Sequence, residues 1–353
     1  MSEHKIARQD AALSARIVRR LEMTYADGSS DADDRPPHVR AASGLVAFRE
    51  YLAVIQDDAN WLALIDEDDR VHALPLPPGP ESGARVFSKR RGNRGEKFDL
   101  EACIAVPGRD GPELIGFGSG SHRGREWILR VHESEDMDAV LREPATQAAL
   151  GIDLKAEFLD AAPFYDALRA TREFAGVGLN IEGAVLIDDD TIRLFQRGNA
   201  SPEGELEPVD ATGDVAWRAL AAHLADPAGL PPPSLRNIRR YDLGALDGVR
   251  LTFSDAEHLG GGRILYSASA EDRQSDAIVG STLGAIEPDG TARWTEVIDA
   301  RGGRFEGKIE GLTLDRRHAN CARFVIDDDD EDLPSVLFEA ELSEAFLRSG
   351  RAN

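Results

Sequence analysis

The chain has 353 residues, and its 41 Lys+Arg against 64 Asp+Glu leave a formal charge of −23. Such a length supports a substantial buried core, while the acidic excess argues against nucleic acid or an anionic membrane as the main partner. Two cysteines, Cys103 and Cys321, are too few for a disulfide framework or a four-thiolate zinc site.

The N-terminus, MSEHKIARQDAALSARIVRRLEM, lacks the apolar region of a secretory signal. No stretch reaches the roughly 18 apolar residues of a membrane-crossing helix, so a cytoplasmic location with no membrane partner is expected. Residues 1–12 read as a tail. His4, Lys5, Arg8, Arg16, Arg19 and Arg20 make this end basic, and they read as a solvated lead into a strand rather than an interaction arm. ARIVRRLEMTYAD then has the character of a strand with no sequence neighbour to pair with.

From there one pattern recurs: a small or acidic pair, an apolar stretch, a polar turn, a second apolar stretch and a polar loop. Ser43-Gly44 opens SGLVAF, followed by YLAVIQDDANWLALID. Glu101-Ala102 opens EACIAV, followed by ELIGFGSGSHRGREWILRV; Glu182-Gly183 opens EGAVLI, followed by TIRLFQRGNA. Asp255-Ala256-Glu257 precedes HLGGGRILYSASAEDRQSD, and Glu310-Gly311 opens EGLTLD before ARFVIDDDDEDLPSVLFEAEL. With Ser43, Glu101, Glu182, Glu257 and Glu310 as equivalents, the spacings are 58, 81, 75 and 53 residues. Apolar runs of 4–8 residues bounded by Gly, Asp, Asn or Pro predict short antiparallel strands, and repeats at this interval fit propeller blades.

Four segments depart from the pattern. MDAVLREPATQAAL and FYDALRATREF read as helical, although Pro144 interrupts the first. VAWRALAAHL is open between a helix and a strand running into a turn. LADPAGLPPPSLR is a stiff exposed connection and not a domain boundary, because repeats continue on both sides. The expected fold is all-β: a single closed β-propeller over residues 13–345, five blades favoured and six allowed. The last unit is short, and the N-terminal strand completes its blade, which removes an exposed edge. Residues 346–353 read as a C-terminal tail.

Hairpin geometry places the start of a first strand beside the end of the second. Glu101 is therefore expected near Ser119–Arg125, Glu182 near Gln196–Asn199, Glu257 near Glu271–Arg273 and Glu310 near Asp327–Asp330. If the first strands are innermost, these groups converge at one mouth of a central channel. Carboxylates crowded there repel unless a cation offsets them. Ca²⁺, which takes six to eight oxygen ligands, suits them, with Glu101, Glu182, Glu257, Glu310, Asp57, Asp272, Asp327 and Asp328 as candidate ligands. Pairing with Lys97 and Lys308 is the competing remedy, and a third reading has the glutamates bind backbone amides and stitch blades together. His122, Arg123, Arg125, Arg197, Arg273 and Lys308 form the basic set expected to hold a small anionic ligand. Gly116-Phe117-Gly118-Ser119-Gly120 is followed by a strand pattern, so it lacks the helix that a dinucleotide-binding loop requires.

NIEGAVLI, LFQRGNA, YSASAEDRQSD, GSTLGAI and KIEGLTLD together resemble the phytase-like β-propeller group, including members described as having esterase-like activity of phytase. The resemblance covers residues 40–340 in patches. It implies a propeller with acidic residues around its channel, calcium, and action on phosphoesters or esters, with Glu101, Glu182, Glu257 and Glu310 matching the recurrent E-G/E-A element. The functional expectation is a calcium-dependent hydrolase of a small phosphoester or ester, using metal-held water and Arg/Lys to stabilise developing charge. The alternative is a non-catalytic propeller that binds a ligand or protein partner at the same face.

Overall fold

The computed structural model describes residues 3–133, 153–204, 206–272, 275, 277–318, 320–327 and 330–347. The helix expected over MDAVLREPATQAAL lies outside the described residues.

The N-terminal stretch forms three strands, β1 (Glu3–Ile6), β2 (Arg8–Gln9) and β3 (Ala15–Glu22). The chain then builds five sheet units in sequence. Unit I holds β4 (Ala42–Phe48), β5 (Tyr51–Gln56), β6 (Trp61–Ile65) and β7 (Val71–Pro75). Unit II holds β8 (Leu100–Pro107), β9 (Pro112–Gly118), β10 (Trp127–Glu133) and β11 (Leu154–Asp160). After the helices α1 (Ala162–Ala170) and α2 (Arg172–Ala175), which bear out the helical reading of FYDALRATREF, unit III holds β12 (Ile181–Asp188), β13 (Thr191–Gln196), β14 (Asp210–Ala216) and β15 (Arg236–Asp242). VAWRALAAHL resolves as the end of β14 running directly into helix α3 (Trp217–Ala225). Unit IV holds β16 (Ala245–Leu246), β17 (Val249–Gly260), β18 (Arg263–Asp272), β19 (Ala277–Ile286) and β20 (Ala292–Ile298). Unit V holds β21 (Ile309–Leu314), β22 (Cys321–Ile326) and β23 (Val336–Leu342), and a short helix α4 (Glu344–Leu347) follows.

The N-terminal dozen, read from sequence as a tail, pairs with sheet edges. β1 runs parallel to β15 at the edge of unit III, and β2 runs parallel to β20 at the edge of unit IV. β3 pairs antiparallel with β23, from Val336↔Glu22 to Leu342↔Ala15, as the fourth strand of unit V. A two-residue parallel contact of β20 with β3 joins units IV and V into one ten-stranded sheet. Alternation explains why β3 fits an outer position: Ala15 and Ile17 are buried while Arg16, Arg19 and Arg20 face out. Arg19 meets Glu339 at 2.9 Å and Asp69 of unit I at 2.5 Å.

Five apolar clusters fill the spaces between units. Val46, Leu62 and Leu114 belong to one between I and II; Ile104, Phe117 and Leu194 to one between II and III. Phe195, Phe253 and Tyr266 join III to IV, and Leu265, Leu283 and Phe324 join IV to V. Leu45, Trp61 and Val325 join V back to I. The first strands follow the same order, with β4 beside β8, β8 beside β12, β12 beside β17, β17 beside β21, and β21 beside β4. Among the described residues no helix is long and apolar enough to cross a membrane.

Candidate functional site

Each first strand slips register by one residue. The slips fall between Ala42 and Gly44, Leu100 and Ala102, Ile181 and Gly183, Phe253 and Asp255, and Ile309 and Gly311. Such a bulge leaves one residue unpaired and re-aims its side chain. The unpaired residues are Ser43, Glu101, Glu182, Ser254 and Glu310, which explains the small-or-acidic element of the repeat. The glycine that follows has its own reason: a Cβ on Gly311 would lie 2.6 Å from Leu45 N and 2.7 Å from Gly44 C, and one on Gly183 would lie 3.1 Å from the Asp255 Cα. At Gly311 the adjacent first strands approach too closely for a side chain, and at Gly183 the fit is tight.

This register corrects the alignment of the fourth unit. Ser254, not Glu257, is the equivalent of Glu101, Glu182 and Glu310. Three residues of extended chain carry Glu257 about 10 Å further along β17, where it lines a separate cavity with Val46, Ile104, Val185 and Thr313. The sequence misled because β17 is twelve residues long and its acidic pair, Asp255 and Glu257, follows the bulge. Asp255 is itself buried and accepts a bond from Leu312 N at 2.6 Å, stitching unit IV to unit V.

At the strand-start end lies a cavity of about 450 Å³. Six carboxylates (Asp57, Asp99, Glu101, Glu182, Glu310, Asp327) and five fixed cations (Arg94, Lys97, Arg125, Arg197, Lys308) line it, with His122 exposed at the rim. Of the expected site residues, Asp57, Glu101, His122, Glu182, Arg125, Arg197, Lys308, Glu310 and Asp327 are thus brought together. Arg123 is not: it turns outward to Asp166 at 2.7 Å and Glu126 at 3.1 Å. Asp272 sits instead at the β18–β19 turn, accepting from Ser275 Oγ at 3.0 Å. Arg273 and Asp328 lie outside the described residues.

Most of the charges are paired. Lys97 Nζ donates to both oxygens of Asp57, at 2.6 and 2.7 Å, and lies 2.7 Å from Asp99 Oδ1. Arg125 holds the other Asp99 oxygen at 2.9 Å, and Ser119 donates to it as well. Asp99 has a φ of 58°, a left-handed backbone that a non-glycine residue adopts at a cost and that this network sustains. Arg197 bridges two units, meeting Glu182 at 3.1 Å and Glu271 of unit IV at 2.6 Å. Lys308 Nζ lies 2.5 Å from Glu310 Oε1. Burial and the Arg197 guanidinium work against the Lys308 charge, but Glu310 and Glu182 outweigh them and hold it above the ordinary lysine range. Asp99 and Arg94 escaped sequence reasoning, as did the pairing of Glu271 with Arg197. Asp99 and Arg94 precede the β8 motif in a loop with no periodicity, and the partner of Glu271 comes from another unit.

Glu101 is the exception. It makes no ion pair with any described residue, and burial followed by the charges of Asp57, Glu182, Asp99 and Glu310 pushes its carboxyl well above the usual range. Burial and the neighbouring Asp99 push Asp57 up to about 8, against the pull of Lys97. Asp57, Asp99 and Glu101 each offer a carboxylate oxygen, all within 4.8 Å of one another. An all-oxygen set of this kind fits a hard divalent cation. Arg94 likewise makes no ion pair with any described residue. It also lines an adjoining cavity of about 450 Å³ that shares Asp57, Lys97 and Asp327.

The chain belongs to DUF6929, a family of unknown function, which matches residues 38–342. A search of the curated proteins finds no match. Among solved structures, it is similar to a gluconolactonase from Xanthomonas campestris at 14% identity, over 83% of this chain and 68% of that one, with a TM-score of 0.33. It is similar to virginiamycin B lyase from Staphylococcus aureus at 8% identity, over 93% and 99%, with a TM-score of 0.38. For a GH43 β-1,3-galactosidase the values are 8%, 90% and 58%, with a TM-score of 0.44. These likenesses do not bear on activity.

Proposed function

We propose that the five units are the blades of a single closed β-propeller. Its strand-start mouth, in this reading, holds calcium at Asp57, Asp99 and Glu101 and binds a small anionic ester or phosphoester beside it. Closure is supported by the return of β21 to β4 at Gly311 and Gly44, and by the apolar cluster between units V and I. Calcium at an acidic channel mouth is also what the phytase-like resemblance of the repeat segments implies. The observation that carries the site is Glu101, a carboxylate with no ion pair inside a cluster of three.

A bound divalent cation supplies a water of lowered pKa. The chain's own residues do the rest. Arg94 and His122 at the rim receive the anionic end of the ligand, and Lys308 and Arg197 fix Glu310 and Glu182 so that these do not repel it. A cation bound at Asp57, Asp99 and Glu101 would have to take the place of the Lys97 ammonium, which contacts both aspartates. A second reading, a ligand-binding propeller with no turnover, is favoured by one observation: the Lys97 ammonium already sits against Asp57 and Asp99, at 2.6 and 2.7 Å.

Thermal melting in metal-stripped buffer tests the choice. Millimolar Ca²⁺ is expected to raise the Tm, EDTA to reverse the rise, and Glu101→Gln with Asp57→Asn to abolish it without unfolding the protein. No shift for the wild type would remove the metal and leave the paired, non-catalytic mouth. If the shift is present, turnover of a panel of small esters and phosphoesters, dependent on Ca²⁺, separates enzyme from binding module.

A further inference from the structure

We propose that the protein pairs with a second copy of itself along β11, the outer strand of unit II. The N-terminal segment runs along the outer edges of the other four units: β1 lies on β15, β2 on β20 and β3 on β23, while Tyr25 bridges to Val71 of β7 and Ala26 N donates to the Val71 carbonyl. It does not reach unit II, where β11 ends the sheet and no described strand lies beyond it. Such an edge presents unpaired N–H and C=O groups, which proteins blunt with short strands, proline, bulges or charge. β1 has four residues, β7 ends at Pro75, and β3 carries a bulge at Val18 among Arg16, Arg19 and Arg20. β11 has seven residues, no proline and no bulge, in unbroken register with β10 from Glu133↔Leu154 to Trp127↔Asp160.

The side chains of β11 name the occupant. Lys155 and Glu157 stand two apart on one face, with Leu154, Ala156 and Phe158 on the other. The Lys155 and Glu157 side chains are 35% and 30% exposed, and the Glu157 carboxylate has no cation closer than 3.5 Å among the described residues. When a strand pairs antiparallel with its own copy about a two-fold axis normal to the sheet, opposite residues share a face, so the axis passes through a residue. An axis at Lys155 sets lysine against lysine, and one at Glu157 sets glutamate against glutamate. Directly opposed like charges destabilise a strand pair, whereas opposite charges support it. An axis at Ala156 sets Lys155 against Glu157 twice, and Leu154 against the half-buried Phe158 twice. A partner strand carrying one sign of charge meets one of the two residues with repulsion, so a second copy fits this edge better. The two-fold axis reverses the strand, so the two channel mouths open to opposite sides. The pairing therefore does not rest on what the mouth binds.

Sedimentation velocity of the full chain, from micromolar to sub-millimolar concentration, tests the pairing. The wild type is expected to pass from monomer to dimer across that range. Lys155→Glu sets carboxylate against carboxylate at both pairs and should weaken the dimer by at least about tenfold. Glu157→Lys should do the same with ammonium groups. An equimolar mixture of these two variants should recover wild-type dimerisation, since each carboxylate then meets an ammonium. The exchange of both residues in one chain, Lys155→Glu with Glu157→Lys, should recover it as well. Neither recovery can come from a variant that fails to fold. Glu101→Gln, at the channel mouth, should leave the dimer unchanged. A wild type that stays monomeric throughout, single variants that dimerise as the wild type does, or a mixture that stays monomeric would overturn the inference.

Discussion

Lys97 reaches out of its own unit to place its ammonium 2.6 Å from Asp57 of the preceding one. Its side chain is only 5% exposed, so water contributes little to holding the pair. Lys97→Met leaves Asp57 beside Asp99 with no cation of its own, while Arg125 still holds Asp99, and removing one partner of a buried pair costs about 3–5 kcal/mol. The loss, read by urea denaturation at pH 8, should shrink at pH 5, where Asp57 takes up a proton. If calcium occupies the cluster, the same variant should show a larger calcium-induced Tm rise than the wild type.

The raised pKa of Asp57 has a sign that can be measured. In the unfolded chain this group releases its proton near 3.8, whereas in the fold it holds it up to about 8. The folded state binds more protons across that window, so Asp57 lowers stability as pH rises from about 4 to 8, with a limiting slope of about 1.4 kcal/mol per pH unit. Asp57→Asn mimics the protonated form. The stability difference between variant and wild type should therefore grow in favour of the variant from pH 5 to 8 and level off above. A flat difference would show that Lys97 compensates the charge fully.

Gly311 tests the seam between units V and I. Its missing Cβ would strike backbone atoms of Leu45 and Gly44, which cannot rotate away. Gly311→Ala should cost about 1–3 kcal/mol by overpacking. Gly95→Ala, where a Cβ meets nothing within 4 Å, should stay within about 0.5 kcal/mol of wild type. Chemical denaturation of the two variants side by side reads the difference.

The strand that completes unit V makes a further prediction. Removing residues 3–22 uncovers the edges of β15, β20 and β23 at once, together with the apolar surface under Leu13, Ala15 and Ile17. Exposed edges recruit other chains. The truncated protein should associate in a concentration-dependent way into species larger than those of the full chain, visible by light scattering.

Much of this was legible in the chain. The small-or-acidic element followed by Gly or Ala marked four of the five bulges, because a bulge side chain and a close strand approach each demand a particular residue. Hairpin geometry then brought Glu101 into the same cavity as Arg125 and set Glu182 beside Arg197. The fourth unit was not legible, since Ser254 carries no charge to draw the eye and Glu257 does. Pairings between units escaped for a related reason: periodicity reports which face of a strand is buried, not which neighbouring unit supplies the partner. Lys97 therefore seemed placed to serve Glu101, four residues on, and it serves Asp57 and Asp99 instead.

The N-terminal strap has a consequence for synthesis. On the ribosome, residues 3–22 are made before all five units, yet β1, β2 and β3 wait for partners that end at Asp242, Ile298 and Leu342. At roughly 5–20 residues per second, the wait of β3 for β23 lasts on the order of tens of seconds. During that interval Ile17 lacks its apolar neighbours from unit V and the arginines of β3 have no Glu339. The basic, highly charged outer face of β3 then serves a purpose that the finished molecule conceals: it keeps a waiting strand in solution until the last hairpin emerges to receive it.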